Sequence, residues 1–394
     1  MSEVPALAYL YPEHLGRPAA RRLQVAAMLR ALAGEGVRVH FLVGRFAGMG
    51  RHLAELGLAG VPNLLVEPLW MTQAGPGLPV PFSWHGPYHL AARRRLRRLA
   101  HSGMGVALVR HLKLADFLLR RGCGLALVYE AHELFHVTAR EEGMEPRRLA
   151  RLEALERRVL AEVDLVFTTS RPLARALEPL CRRPVAALPN GVAREFLEIA
   201  RRPQAGLVAY AGGLMAWKGV DLLLRAVALL PQARLEILGG EAGSDDWRRL
   251  ERLAGELGLG ERFTMRPRVG QEAVRELLAR AAVAVWPGST GHRLGAEFTS
   301  PLKLFEYLAA GCAVAAPDLP AARELLADGD NSLLFTPEDP QDLARVLERL
   351  LADRELAGRL GEAGRRLARE YTWQARARRL LELLEPLAAA QREA

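Results

Sequence analysis

The sequence predicts an α/β protein made of two doubly wound parallel-sheet domains in tandem. At about 150 residues per domain, the 394 residues suffice for two full cores. Apolar runs of strand length alternate with amphipathic stretches of helix length, the pattern of a parallel sheet covered by helices on both faces. The alternation lapses over 192–206 (VAREFLEIARRPQAG), which reads as a linker, and then restarts. The expected division is therefore 1–195, then 206–371, with a last helix from about 372 to 394 that can pack back on the first domain.

The elements follow in order. LAYLYP (7–12) is a buried strand, and 17–34 an amphipathic helix with Leu23, Ala26, Ala27, Leu29 and Leu32 near one face. Strands follow at 37–44, 63–67, 105–111 and 125–133, with helical patterns from 88 and at 112–121 and 146–162. DLVFTTS (164–170) is a strand, a helix starts at Pro172, and PVAALPNG (184–191) closes the first series. The second series has strands at 206–213, 233–240, 262–267, 282–288, 312–318 and 332–337. Helices alternate with them at 217–230, 244–258, 271–281, 300–311 and 320–327, and further helices fill 340–390. The Pro- and Gly-rich stretch 68–87 carries two tryptophans and is too long for an ordinary connection, so it reads as an acceptor-side loop or a surface excursion.

Composition narrows the class. Half the residues are hydrophobic and a quarter charged, as in a folded globular chain. Three dispersed cysteines, Cys123, Cys181 and Cys312, exclude a disulfide framework and a four-cysteine zinc site, and fit a reducing cytoplasm. MSEVPALAYLYPEH has neither the basic nor the apolar region of a signal peptide, and no run of 18 apolar residues occurs. The expected location is the cytoplasm, either free or peripheral on the inner face of the plasma membrane.

The net charge of +9 is uneven: residues 1–195 hold 27 basic and 17 acidic residues, the remainder 27 and 28. Arg93, Arg94, Arg95, Arg97 and Arg98 form one basic run, and Arg147, Arg148, Arg151, Arg157 and Arg158 a second. These read either as a solvated arginine-rich face or as a dock for anionic lipid. No aromatic interleaving or nucleic-acid module accompanies them, which argues against nucleic acid. Only three of the 54 basic residues are lysine: Lys113, Lys218 and Lys303. In a chain this biased toward arginine, a lysine marks a place where a compact point charge serves and a planar fork does not.

Two of those lysines sit in the motifs that carry chemistry. In EFTSPLKLFEYLAAG (297–311), Thr299, Ser300 and Pro301 read as a helix start, with a hydroxyl cap and proline in the first position. A helix start presents free N–H groups and the positive end of the dipole to an anion. Lys303 in the first turn opposes that dipole, which makes sense if a phosphate binds there, and Glu306 can reach ribose hydroxyls from the same face. The plain alternative is an i,i+3 ion pair between the two. In YAGGLMAWKGV (210–220) a strand runs into Gly212 and Gly213, and Lys218 stands at another helix start. Both lysines would point into a cleft between the domains and neutralise a diphosphate leaving group.

The remaining signals are weaker. Gly16 follows the first strand and permits close backbone approach, and EAHE (130–133) ends a buried strand with His132 as a ligand-facing or merely structural residue. No GxGxxG follows a strand and no GxxxxGK[ST] occurs, which exclude the usual dinucleotide-binding and P-loop readings. No metal-ligand spacing is present either.

Taken together these motifs resemble glycosyltransferase family 4, the retaining GT-B enzymes. LYPEHLGRPAARRLQVAAMLRAL, VYEAHEL, VFTTS, ALPNGV, YAGGLMAWKGVDLLL, EILGG, SPLKLFEYLAAG and ELLADGDNSLLF match that family in order through most of the chain. The resemblance implies two Rossmann-like domains facing each other across a cleft. It implies a nucleotide-diphosphate sugar held mainly by the C-terminal domain and an acceptor (a glycan, a lipid-linked glycan or a small molecule) held by the N-terminal one. Carried over residue by residue, it places Lys218 on the donor diphosphate and Glu306 on the ribose. Thr299, Ser300, Pro301, Leu302 and Lys303 would hold phosphate and sugar hydroxyls, with Gly16, Gly212 and Gly213 near the phosphates and His132 beside the transferred sugar.

The sequence departs from the family in two places. The family often has a glutamate eight residues before that at 306; here Phe298 stands there and Glu297 is one place off, so the donor sugar is open. The family also often has an arginine six residues before the phosphate lysine, where this chain has Gly212, so Lys303 would supply the missing charge. His132, Lys218 and Lys303 are the expected catalytic residues, with no cofactor and no metal. Two other readings remain: a non-catalytic nucleotide-sugar-binding partner subunit, and a sugar-nucleotide epimerase on the same architecture.

Overall fold

In the computed structural model of the protein, residues 6–13, 15, 20–71, 86–268 and 270–393 are described. The expected helix start at 17–19, Gly16 and most of the loop 68–87 lie outside them. The chain divides into two units, Met1–Pro189 with Trp373–Ala394, and Asn190–Thr372.

The first unit is built on β1 (Ala6–Tyr11), β2 (Arg38–Gly44), β3 (Leu64–Leu69), β4 (Val106–Val109), β5 (Ala126–Ala131), β6 (Leu165–Thr168) and β7 (Ala186–Ala187). They form one parallel sheet in the order β3-β2-β1-β4-β5-β6-β7. Every residue of β4 and β5 is buried, because helices cover both sheet faces, and this is why these strands read as unbroken apolar runs. Leu7 pairs in register with Val39 on one side and Val106 on the other.

The second unit repeats the plan with β8 (Leu207–Ala211), β9 (Arg234–Leu238), β10 (Phe263–Arg266), β11 (Val283–Val285), β12 (Ala313–Pro317) and β13 (Leu333–Phe335). The order is β10-β9-β8-β11-β12-β13, again all parallel. In each unit the strand order reverses beside the first strand, between β1 and β4 and between β8 and β11. That reversal opens a crevice at the carboxyl ends of the strands, where doubly wound sheets bind ligands. The chain is therefore an α/β protein of two doubly wound Rossmann-like units.

Several elements differ from expectation for local reasons. The strand expected over 184–191 shrinks to Ala186–Ala187, since Pro184 and Pro189 have no N–H to give the ladder. The helix expected from 217 begins at Val220, after Gly219 takes the left-handed φ of 74°. Two seven-residue helices, Met49–Glu55 and Phe135–Glu141, were not expected. The segment 192–206 is no free linker: Arg194–Leu197 is helical, and Val192, Phe196 and Ile199 are buried in the core of the second unit.

Several arginines serve helix ends. The last carbonyls of a helix lack intrahelical donors and carry the negative end of the dipole. Arg262 Nη1 donates to the carbonyls of Val227, Leu230 and Ala233 at 3.3, 2.9 and 3.2 Å. Arg365 Nη2 donates to those of Ala310 at 2.6 Å and Ile199 at 3.0 Å. The closing helix Trp373–Glu393 packs on the helix Ala20–Gly34 and on β4 and β5, approaching so closely that a Cβ on Gly105 would lie 3.1 Å from Ala388 Cα.

Candidate functional site

The carboxyl end of β8 runs into Gly212 and Gly213, and glycine is required there for a definite reason. Gly212 has φ 154°, and a Cβ on it would fall on the ammonium of Lys303, 2.9 Å from Lys303 Cε and 3.1 Å from the Tyr210 hydroxyl. The bare backbone is what admits the lysine. A Cβ on Gly239, at the end of β9, would in turn strike the Gly212 carbonyl. Tyr210 Oη donates to the Gly213 carbonyl at 2.6 Å and pins the turn. Beyond it, the 3-10 turn Ala216–Lys218 leads through Gly219 to the helix Val220–Ala228, so Lys218 stands just before that helix.

Lys303 is the second residue of the helix Leu302–Ala309, whose cap position is Pro301 with no side-chain cap. This corrects the expected hydroxyl cap. Ser300 Oγ instead accepts from the Asn190 N–H at 3.2 Å, and the Ser300 carbonyl accepts from Asn190 Nδ2 at 2.7 Å. The junction segment, not the helix, uses that serine. Thr299 and Leu302 are half-buried, and Phe298 is buried.

Neither site lysine enters an ion pair among the described residues. Lys303 Nζ is buried, has no hydrogen-bond partner, and lies 3.8 Å from the centroid of the Tyr210 ring. Lys218 Nζ lies 3.4 Å from the centroid of the Trp217 ring. Burial pushes Lys218 down to about 8. Burial and the neighbouring Lys218 charge hold Lys303 well below the usual lysine range, only partly opposed by Glu306. Burial likewise pushes Glu306 up to about 7, against Lys303 and a hydrogen bond from Gln271. The simple i,i+3 ion pair between Lys303 and Glu306 is thus not formed; both groups are biased toward neutrality and close enough to feel each other. Glu297 behaves differently. It is half-exposed on the π-helical turn Leu294–Phe298 and accepts from Arg293 Nε at 2.9 Å.

In the first unit, His132 follows β5 and joins a buried charge cluster at the strand ends. Arg110, following β4, donates from Nε to His132 Nε2 at 2.8 Å and lies 3.3 Å from Glu130 Oε2. Arg376, from the closing helix, donates to Glu130 Oε1 at 2.7 Å and to the Pro189 carbonyl at 3.0 Å. Burial would raise Glu130, but Arg110, His132 and Arg376 outweigh it and keep its carboxyl well below the usual range. Burial and Arg110 push His132 down to about 4, against the pull of Glu130, so its imidazole is neutral at physiological pH.

The basic helix Gly86–His101 divides its arginines. Arg93 donates to the carbonyls of Arg121 and Gly122 at the end of the helix Leu112–Arg121, and Arg95 makes a two-pronged pair with Glu67 on β3. Arg94, Arg97 and Arg98 are exposed. No helix of the described residues is long and apolar enough to cross a membrane.

Sequence reasoning missed five contributors: Tyr210, Trp217, Gln271, Arg110 and Arg376. Trp217 had a signal, its position beside one of three lysines. Gln271 and Arg376 had none, because their partners lie 35 and 246 positions away.

Two family models together match residues 23–367: Glycosyltransferase Family 4 over residues 23–196 and Glycosyl transferases group 1 over residues 194–367. The chain belongs to glycosyltransferase family 4. Among curated relatives it is similar to D-inositol 3-phosphate glycosyltransferases. It is 32% identical to that of Streptomyces avermitilis over 280 residues, which is 64% of this chain and 58% of the relative. It is 30% identical to that of Nocardia farcinica over 289 residues, 68% of this chain and 62% of the relative. The matched region thus spans about six tenths of the length of these relatives. Among solved structures, sucrose-phosphate synthase from Thermosynechococcus elongatus superposes with TM-score 0.73 at 22% identity, covering 98% of this chain and 99% of that one. Anabaena HepE in complex with UDP-glucose does so with TM-score 0.73 at 16% identity, covering 97% and 99%. These likenesses establish the fold.

Proposed function

We propose that the protein transfers a hexosyl group from a nucleoside-diphosphate sugar to an acceptor, with retention of anomeric configuration. The observation that carries this reading is the pair Lys218 and Lys303, two electrostatically coupled ammoniums without carboxylate partners, at the strand ends of the second unit. In the transfer, the bond from the anomeric carbon to the β-phosphate oxygen breaks and its electron pair leaves with the diphosphate, while an acceptor hydroxyl oxygen bonds that carbon and its proton passes to the diphosphate oxygen so freed. Lysines preorganised at that oxygen stabilise the charge as it develops, in a site where burial makes each charge count for more than in water. Gly212 and Gly213 let the diphosphate approach the backbone, Glu306 bonds the ribose, and the backbone from Thr299 to Lys303 meets phosphate and sugar hydroxyls. His132, neutral and with Nε2 taken by Arg110, serves as a hydrogen-bonding wall beside the sugar and not as a proton carrier.

The relatives support the substrate class: D-inositol 3-phosphate glycosyltransferases match in sequence, and a fold neighbour binds UDP-glucose. The transfer proceeds on lysine charge without an added metal, and loss of turnover on adding EDTA would contradict this. The exposed Arg94, Arg97 and Arg98 suit docking on an anionic membrane from the cytoplasmic side, and with it a lipid-linked acceptor.

The test is a thermal-shift panel of nucleotide sugars, since a ligand of the folded state raises the melting temperature, followed by product analysis with the best donor. Donor consumption lost on Lys218→Ala supports the reading. Binding without any consumption identifies a non-catalytic partner subunit, and an epimerised donor formed without acceptor identifies an epimerase.

A further inference from the structure

Two ammoniums in one site repel each other, and a folded protein ordinarily answers this with a carboxylate. Here the acidic group that acts on Lys303, Glu306, makes no ion pair with it, and Lys218 makes none among the described residues. What touches each ammonium instead is an aromatic face. Lys218 Nζ is 3.4 Å from the Trp217 centroid and Lys303 Nζ is 3.8 Å from the Tyr210 centroid. Both rings are themselves held. The Trp217 indole lies 5.4 Å from the His292 ring, and a Cβ on Gly295 would come within 3.2 Å of it. Tyr210 is fully buried and its hydroxyl is anchored on the Gly213 carbonyl.

We propose that Trp217 and Tyr210 are positioning residues that hold the two site lysines, neither ion-paired with a carboxylate among the described residues, ready for a diphosphate. The inference rests on the donor reading above and adds two residues to it. A ring quadrupole attracts a cation without neutralising it. A carboxylate would have to be displaced before phosphate could bind, at the cost of a buried ion pair. An aromatic seat fixes the direction of the amine and leaves it free of any ion pair, so that it takes up its full positive charge as the diphosphate arrives. The glycine at 212 completes the arrangement, because any side chain there would take the space that Lys303 occupies over Tyr210.

The experiment measures binding of inorganic pyrophosphate and of UDP by calorimetry to the full chain, alongside Trp217→Leu and Trp217→Phe. Removing the ring weakens both ligands ~10-fold, and phenylalanine, which keeps a face, restores binding to within ~3-fold of the parent. A purely structural tryptophan would show its loss in melting temperature, which is recorded for each variant. Tryptophan emission supplies a second readout: the parent responds as pyrophosphate binds the ammonium seated over the indole, and Trp217→Phe binds but loses that response. If the parent binds both ligands and Trp217→Leu binds them equally well, or Trp217→Phe keeps the emission change, the inference is overturned while the donor reading stands. If the parent binds neither ligand and no nucleotide sugar of the thermal-shift panel, the donor reading fails and takes the inference with it.

Discussion

Substituting Gly212 by alanine adds one methyl group at the centre of the site. Its Cβ would land on Lys303 Nζ, 2.9 Å from Cε and 3.1 Å from the Tyr210 hydroxyl, at a φ of 154° that side chains rarely adopt. Tyr210 is fully buried and cannot retreat, so the flexible lysine must leave. The expected loss is that of one charge-assisted phosphate contact, roughly 1.5–3 kcal/mol, or about 10- to 150-fold in the dissociation constant for UDP. Calorimetry on Gly212→Ala, Lys303→Met and the double variant gives a complete cycle. Because both substitutions remove the same ammonium, the double variant should bind about as weakly as either single one. Additive losses, or parent-like binding by Gly212→Ala, would refute the claim that the glycine exists to admit Lys303.

Three further outcomes are expected. Burial pushes the unliganded Lys218 down to about 8, so part of it is deprotonated in mildly alkaline buffer; a bound diphosphate raises its affinity for protons and that of Lys303 and Glu306, so UDP binding takes up protons, read as a dependence of calorimetric enthalpy on buffer ionisation. Proton release would contradict the assignment. Arg376→Met strips Glu130 of one of its two buried arginines, a loss of about 3 kcal/mol or more, and lowers the melting temperature of the first unit by roughly 6–12 °C; an unchanged melting temperature would remove Arg376 from the core. Replacing Arg94, Arg97 and Arg98 together by alanine weakens binding to anionic vesicles by about 3 kcal/mol without loss of stability, whereas Arg93→Ala and Arg95→Ala act on stability first; equal sedimentation of parent and triple variant would discard membrane docking.

Both sheets were legible because parallel strands buried on two faces must be apolar throughout, as in GVALVRH and CAVAAPD. Their alternation with helices dictates a doubly wound order. The short helices Met49–Glu55 and Phe135–Glu141 were not legible: seven residues give too little periodicity. The segment 192–206 read as a linker because Arg, Glu, Pro and Gln dominate its composition, yet three spaced residues, Val192, Phe196 and Ile199, suffice to bury it. At the site, the scarcity of lysine pointed to Lys218 and Lys303. That Lys303 and Glu306 would not pair could only come from three dimensions, since the same spacing on an exposed helix gives an ordinary salt bridge. The basic first half suggested an anionic partner, but a charge count cannot tell a free arginine from one clamped on a helix end. Arg93 and Arg95 are of the second kind.

The three lysines themselves provide the most direct measurement. UDP affinity is determined for Lys218→Met, Lys303→Met and Lys113→Met, the last an exposed lysine of the first unit. Convergence of the two site ammoniums on one diphosphate predicts that the first two variants each lose about tenfold or more, while the third binds as the parent does. Full affinity in either Lys218→Met or Lys303→Met would contradict it.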